Sequence, residues 1–166
     1  MEGRERYPLS LVILKWITGI LEIGGGIFIL MNYHLLIGIL YGAYAAFAGA
    51  LILPLASCVS CHYYGKRCHC GMGFVSSRLH KKDTNDSFAG KFPWRILIFP
   101  VWLVPLLGAL VILGRARNLF SIIMVAVYIL LIYFHHRILM KRPACKSCMQ
   151  REQCPGCQYK EYITLT

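Results

Sequence analysis

Cysteine is missing from all of this chain except two short stretches. Acid is scarce as well, with seven Asp and Glu against eighteen Lys and Arg. Glu22 is the one acid inside an apolar run. No histidine lies deep within such a run, which argues against a b-type haem held between helices. No small-x-small cleavage site follows the first run, and Lys15 and Glu22 interrupt it, so it does not read as a removable signal peptide. No general base stands paired with a thiol in the pattern that a cysteine nucleophile requires, which counts against an enzyme.

Long apolar runs dominate what is present. Hydrophobic residues make up 57% of the 166-residue chain. They gather into four segments, Leu9–Met31, Leu35–Ser57, Ile96–Gly114 and Leu119–Ile138. Each has about 20 residues, the length that crosses a hydrocarbon core of ~30 Å. Only Asn32-Tyr33-His34 separates the first two, and only Arg115-Ala116-Arg117-Asn118 the last two. The expected fold is therefore all-α: a polytopic membrane protein of four transmembrane helices in two hairpins. Residues 1–57 form the first hairpin, 58–95 a cysteine module with a basic loop, 96–138 the second hairpin and 139–166 a C-terminal cysteine module. A short interfacial helix is expected near Val75–Leu79.

The net charge of +11 is uneven. If both termini and the middle loop share one side, that side carries Arg4 and Arg6, seven basic residues from Lys66 to Arg95 and six from Arg137 to Lys160. The other side has only Arg115 and Arg117. The excess of Lys and Arg on cytoplasmic loops then places both termini and both cysteine clusters in the cytoplasm, on a cell membrane. Anionic lipid accounts for the basic charge, so no nucleic-acid partner is expected. A reducing compartment disfavours disulfides and favours thiols as metal ligands.

The first module is Cys58-x2-Cys61-x6-Cys68-x-Cys70, with His62 and His69 as further donors. The second is Cys145-x2-Cys148-x5-Cys154-x2-Cys157. Four thiolates suit tetrahedral zinc, the preferred cofactor, and equally an iron–sulfur cluster. Two thiolates from each module can also close a single shared site. Cys58-Val59-Ser60-Cys61-His62 matches the c-type haem attachment motif, but haem is attached outside the cytoplasm, which disfavours it here.

Together the modules resemble a group of uncharacterised four-span, cysteine-rich integral membrane proteins of archaea and bacteria. The matching positions are Cys58, Cys61, Tyr63, Tyr64 and Cys68, then Cys145, Cys148, Cys154 and Pro155. His62 and Lys66-Arg67 depart from that pattern, and Cys70 and Cys157 are additional. The resemblance implies the four-span layout and cysteine ligation, with three core cysteines per module. It implies no activity.

Lys15 and Glu22 lie two turns apart on one face of the first helix. Lys15 can snorkel to the interface. Glu22 is expected either to bond Tyr41 or Tyr44 of the second helix or to relay protons or cations. Gly24-Gly25-Gly26 is expected to loosen the helix. Gly38, Gly42, Ala46 and Ala50 offer a small-residue packing face. Pro100 and Pro105 should bend the third helix, with neighbours re-satisfying the freed carbonyls. His135 and His136 read as solvated residues at a helix end. The function expected from these features is structural zinc supporting a protein partner at the cytoplasmic face. The alternatives are an iron–sulfur electron carrier and a metal sensor or transporter using Glu22.

Overall fold

The computed structural model describes residues 4–84, 88, 92–115, 118–137, 147–152 and 154. Among them the secondary structure is helical, without strands. Four helices are long and apolar enough to cross a membrane: Leu9–Tyr33, Leu35–Cys58, Pro93–Arg115 and Leu119–Arg137. Each turns large apolar side chains outward. Ile20, Leu40, Leu110 and Leu130, one from each span, are all more than 60% exposed. A water-facing surface of that kind would aggregate, whereas hydrocarbon solvates it.

Helix α1 is Leu9–Tyr33 and α2 begins at Leu35. His34 alone joins them, and its Nδ1 accepts from the Leu36 amide at 3.3 Å. From Ala48 the second span continues through wider π turns, Ala48–Ile52 and Pro54–Cys58. Helix α3 is Met72–Leu79, slightly longer than the interfacial helix expected there. A 3₁₀ segment, Phe92–Ile98, leads into α4, Pro100–Arg115. Helix α5 is Leu119–Tyr133, capped by the Asn118 side chain on the Ser121 amide at 2.8 Å. A π turn over residues 134–137 completes the fourth span.

The packing seams follow helical geometry more strictly than the small-residue stripe suggested. Gly38 and Gly42 do abut α1, at Met31 and Ile27. Ala46 and Ala50 are exposed, and the buried residues there are Ala45 and Ala48. A strict four-residue spacing drifts around a 3.6-residue helix, so the seam follows 38, 41, 45 and 48 instead. The triple glycine also serves packing and does not loosen α1, which runs unbroken through it. A Cβ on Gly26 would stand 2.9 Å from the Tyr41 hydroxyl, 3.1 Å from Pro105 Cβ and 3.1 Å from the Tyr128 hydroxyl. Those groups come from α2, α4 and α5, so all four spans meet at this glycine. Gly26→Ala is expected to cost about 1 kcal/mol through overpacking, seen as a lower melting midpoint in detergent.

Two prolines leave carbonyls without their ladder donors, and in each case a tyrosine side chain supplies one. Pro105 withholds the N–H due at the Val101 carbonyl, and the Tyr41 hydroxyl donates to that oxygen at 2.8 Å. Pro100 withholds the 3₁₀ donor from Leu97, and the Tyr44 hydroxyl donates there. In the second span, His80 Nε2 lies 3.2 Å from the Ala50 carbonyl oxygen. Re-satisfaction by neighbours was the expectation for α4. The identity of the donors changes the reading of Glu22, because the two tyrosines expected to hold it are committed elsewhere.

Candidate functional site

The two cysteine modules meet. Cys61, Cys70 and Cys148 pack around a buried cluster of Tyr7, Val12, Tyr63 and Cys68. Backbone bonds fasten the three segments that carry these residues. Arg4 N donates to Ser147 O at 2.9 Å, and Tyr7 N donates to Arg67 O at 3.1 Å. The Tyr63 hydroxyl donates to Arg4 O at 2.6 Å and accepts from the Met149 amide at 3.1 Å. The Gln150 side-chain oxygen accepts from the His62 amide at 2.9 Å. The N-terminal segment, the first module and residues 147–150 therefore sit at one end of the bundle, on the same side.

Local turns aim the sulfurs. Gly65 and Gly71 adopt left-handed backbone, at φ 77° and 72°, which L side chains enter at a cost. The Gly73 amide donates to Cys68 Sγ at 3.2 Å. The Tyr63 amide bonds Cys61 and the Met72 amide bonds Cys70, in each case two residues on. Cys68 Sγ and Cys70 Sγ are 3.4 Å apart. Thiolates sharing a tetrahedral zinc at about 2.3 Å would stand roughly 3.8 Å apart, so this pair needs only a small adjustment to share an ion. Trp16 fixes the module to α1, donating from Nε1 to Cys70 O at 3.0 Å.

The thiols differ in acidity. Burial pushes Cys61 up to about 11. Cys68 is pushed up because its S–H is given to Cys70, with burial adding to the effect. That same bond holds Cys70 well below the usual thiol range, with the Lys15 ammonium adding to the effect. The thiolate is the form that binds metals and reacts. Burial pushes His69 down to about 4, which keeps its imidazole neutral. Its ring lies 5.9 Å from Tyr7, and the exposed His62 ring lies 5.3 Å from Tyr63. Arg95, which bonds Ser57 Oγ from Nε at 2.6 Å, brings its charge within reach of Cys58, Cys61 and His69.

The six described cysteines are free thiols: Cys58, Cys61, Cys68, Cys70, Cys148 and Cys154. Among the described residues, no three His, Cys, Asp or Glu side chains are gathered closely enough to hold a metal ion between them. Cys145 and Cys157 lie outside the described residues. The donor set fits a thiophilic ion in its chemistry: several sulfurs in an apolar nest, backbone amides on three of them, and cationic side chains nearby. Lys15, Arg95, Tyr7, Tyr63 and Gln150 are site residues that the spacing of cysteines did not reveal. Lys15 and Arg95 read in the sequence as a snorkelling residue and an orienting charge.

A second polar cluster lies between α1 and α5. The buried stripe of α1 is Val12, Lys15, Thr18, Glu22, Gly26, Ile29 and Leu30. Glu22 is 4% exposed and Lys15 7%. Glu22 Oε2 lies 3.4 Å from His135 Nδ1, and Glu22 Oε1 lies 3.5 Å from His136 Nε2. The expectation of solvated histidines is therefore overturned. His135 is buried, and the His136 ring stands edge-on to Trp102 at 4.8 Å. The cause is the π turn, which narrows the angle between consecutive side chains and lets both rings face α1.

Comparison with protein-family models, with curated proteins and with solved structures gives no match to this chain.

Proposed function

We propose that this is a multi-pass membrane protein whose two cysteine modules jointly hold one structural zinc ion on the cytoplasmic face, forming a rigid platform for a protein partner. The observation that carries this reading is that Cys61, Cys70 and Cys148 all pack against one buried cluster that contains Cys68. Sulfurs from both modules share one apolar nest, and a four-thiolate ion would close it. The positive-inside rule supplies the orientation, since the module-bearing end carries most of the basic residues. The motif resemblance supports cysteine ligation and the four-span layout.

Such an ion would tie the N-terminal segment, the end of α2 and the C-terminal segment together. Zinc would supply cross-linking without redox chemistry. Tyr63 already joins the same segments through its hydroxyl, so the ion would stiffen an arrangement that the protein has begun.

Metal analysis with a visible spectrum on anaerobically purified protein tests the reading. The expected result is one zinc per chain and no colour. Cys148→Ser is expected to remove the ion as completely as Cys61→Ser does. Two ions per chain, or zinc retained in Cys148→Ser, would overturn the shared site. Iron with acid-labile sulfide would replace this reading with membrane electron transfer. A haem band would overturn both the ligand set and the orientation.

A further inference from the structure

Glu22 is not needed by the thiol site, yet it is buried in a membrane span beside two histidines. Burying an isolated carboxylate in hydrocarbon is costly, and such groups persist where they serve a function. Glu22 Oε1, His135 Nδ1 and His136 Nε2 are each sealed from solvent, and none has a hydrogen-bond partner among the described residues. Unmet polar atoms of this kind are expensive when left so. Here they face one another at 3.4 and 3.5 Å, just beyond hydrogen-bond contact. An added proton on either imidazole would turn that contact into a charge-assisted bond, with the carboxylate as acceptor.

We propose that Glu22, His135 and His136 form one intramembrane proton-binding site on the α1–α5 seam, exchanging protons through His136. His136 is the door because its side chain is 29% exposed, against 11% for His135 and 5% for Glu22. The proton passes from His136 to a Glu22 oxygen, and the other oxygen of the same carboxylate faces His135. No redox partner is involved, since only a proton and a hydrogen bond move. Other groups set the field. Lys15 reaches the cluster along α1, Tyr41 from α2 and Tyr128 from α5. Trp102 of α4 walls off the His136 ring. Lys15 also acts on Cys70 and His69, so one ammonium lies between the proton site and the thiol cluster.

The test is a pH titration of the full chain in lipid nanodiscs, from about pH 4 to 9. Imidazole nitrogen shifts report His135 and His136, and the infrared carboxyl band reports Glu22. The expected result is coupled titration of all three groups. In Glu22→Gln the proton affinity of both histidines should fall about tenfold or more, since their anionic partner is gone. Should that variant fail to fold, His136→Gln serves in its place, with slowed proton exchange at His135 expected. The proposal is overturned if the two histidines titrate independently at the ordinary histidine value and ignore Glu22→Gln. It is equally overturned if none of the three titrates in this range, or if their signals respond to zinc and chelator but not to pH.

Discussion

Replacing Gly73 with alanine is expected to dismantle the first cysteine module while leaving the four spans in place. A Cβ at position 73 would lie 2.2 Å from the Tyr63 carbonyl oxygen and 2.9 Å from that of Lys66. Both obstacles are backbone, so neither can swing aside as a side-chain tip would. Helix α3 must instead retreat from the turn over residues 63–66. Two bonds are lost in that retreat: Gly65 N to Gly73 O at 3.0 Å, and Gly73 N to Cys68 Sγ at 3.2 Å. Overpacking of this severity costs about 3 kcal/mol. Cys68 and Cys70 should become reactive toward a maleimide in native membranes, with rates up by about 100-fold, since 1.4 kcal/mol corresponds to a factor of ten. Labelling unchanged from the parent protein would show that α3 tolerates the methyl group and that the close approach is not structural.

Tyr41→Phe carries the next largest expected effect, and it has a built-in rescue. The hydroxyl covers the Val101 carbonyl that Pro105 leaves bare. Removing it buries an unsatisfied oxygen where no water is at hand, at about 2 kcal/mol. Restoring the backbone donor with Pro105→Ala should recover about half of that loss or more. Alanine retains the Cβ that packs near Gly26, so the seam is otherwise preserved. Unfolding of the two single variants and the double variant in mixed micelles closes the cycle. Additive losses would mean that hydroxyl and proline act independently, and that the tyrosine serves packing alone.

Much of this architecture is legible in the sequence. The four spans end within a few residues of the apolar runs, because membrane-length hydrophobicity is a composition signal. The expected rescue of α4 carbonyls is also realised. What was hidden was pairing between distant segments. Tyr41 and Tyr44 look like natural partners for Glu22 on helix spacing alone. Only the placement of Pro100 and Pro105 across from them redirects both hydroxyls. His135 and His136 are two consecutive residues near a polar terminus, which ordinarily means solvent. A π turn cannot be read from hydropathy, so their inward aim stayed invisible. Likewise the spacing of cysteines names donors but not neighbours. That Cys61, Cys70 and Cys148 share one cluster with Cys68 depends on Arg4, Tyr63 and Gln150, of which only Tyr63 belongs to a motif. Cys145 and Cys157 lie outside the described residues.

The proline–tyrosine pairs bear on how the chain is made. The third span entering a bilayer alone would present two bare carbonyls to hydrocarbon. The first hairpin precedes it in synthesis, with both hydroxyls already waiting on α2. Order along the chain thus doubles as an assembly instruction: the earlier hairpin acts as an internal chaperone for the later one. A circularly permuted gene that delivers α4 before α2 would lose that escort, and its product should be cleared by quality control even though every contact of the finished protein remains available to it.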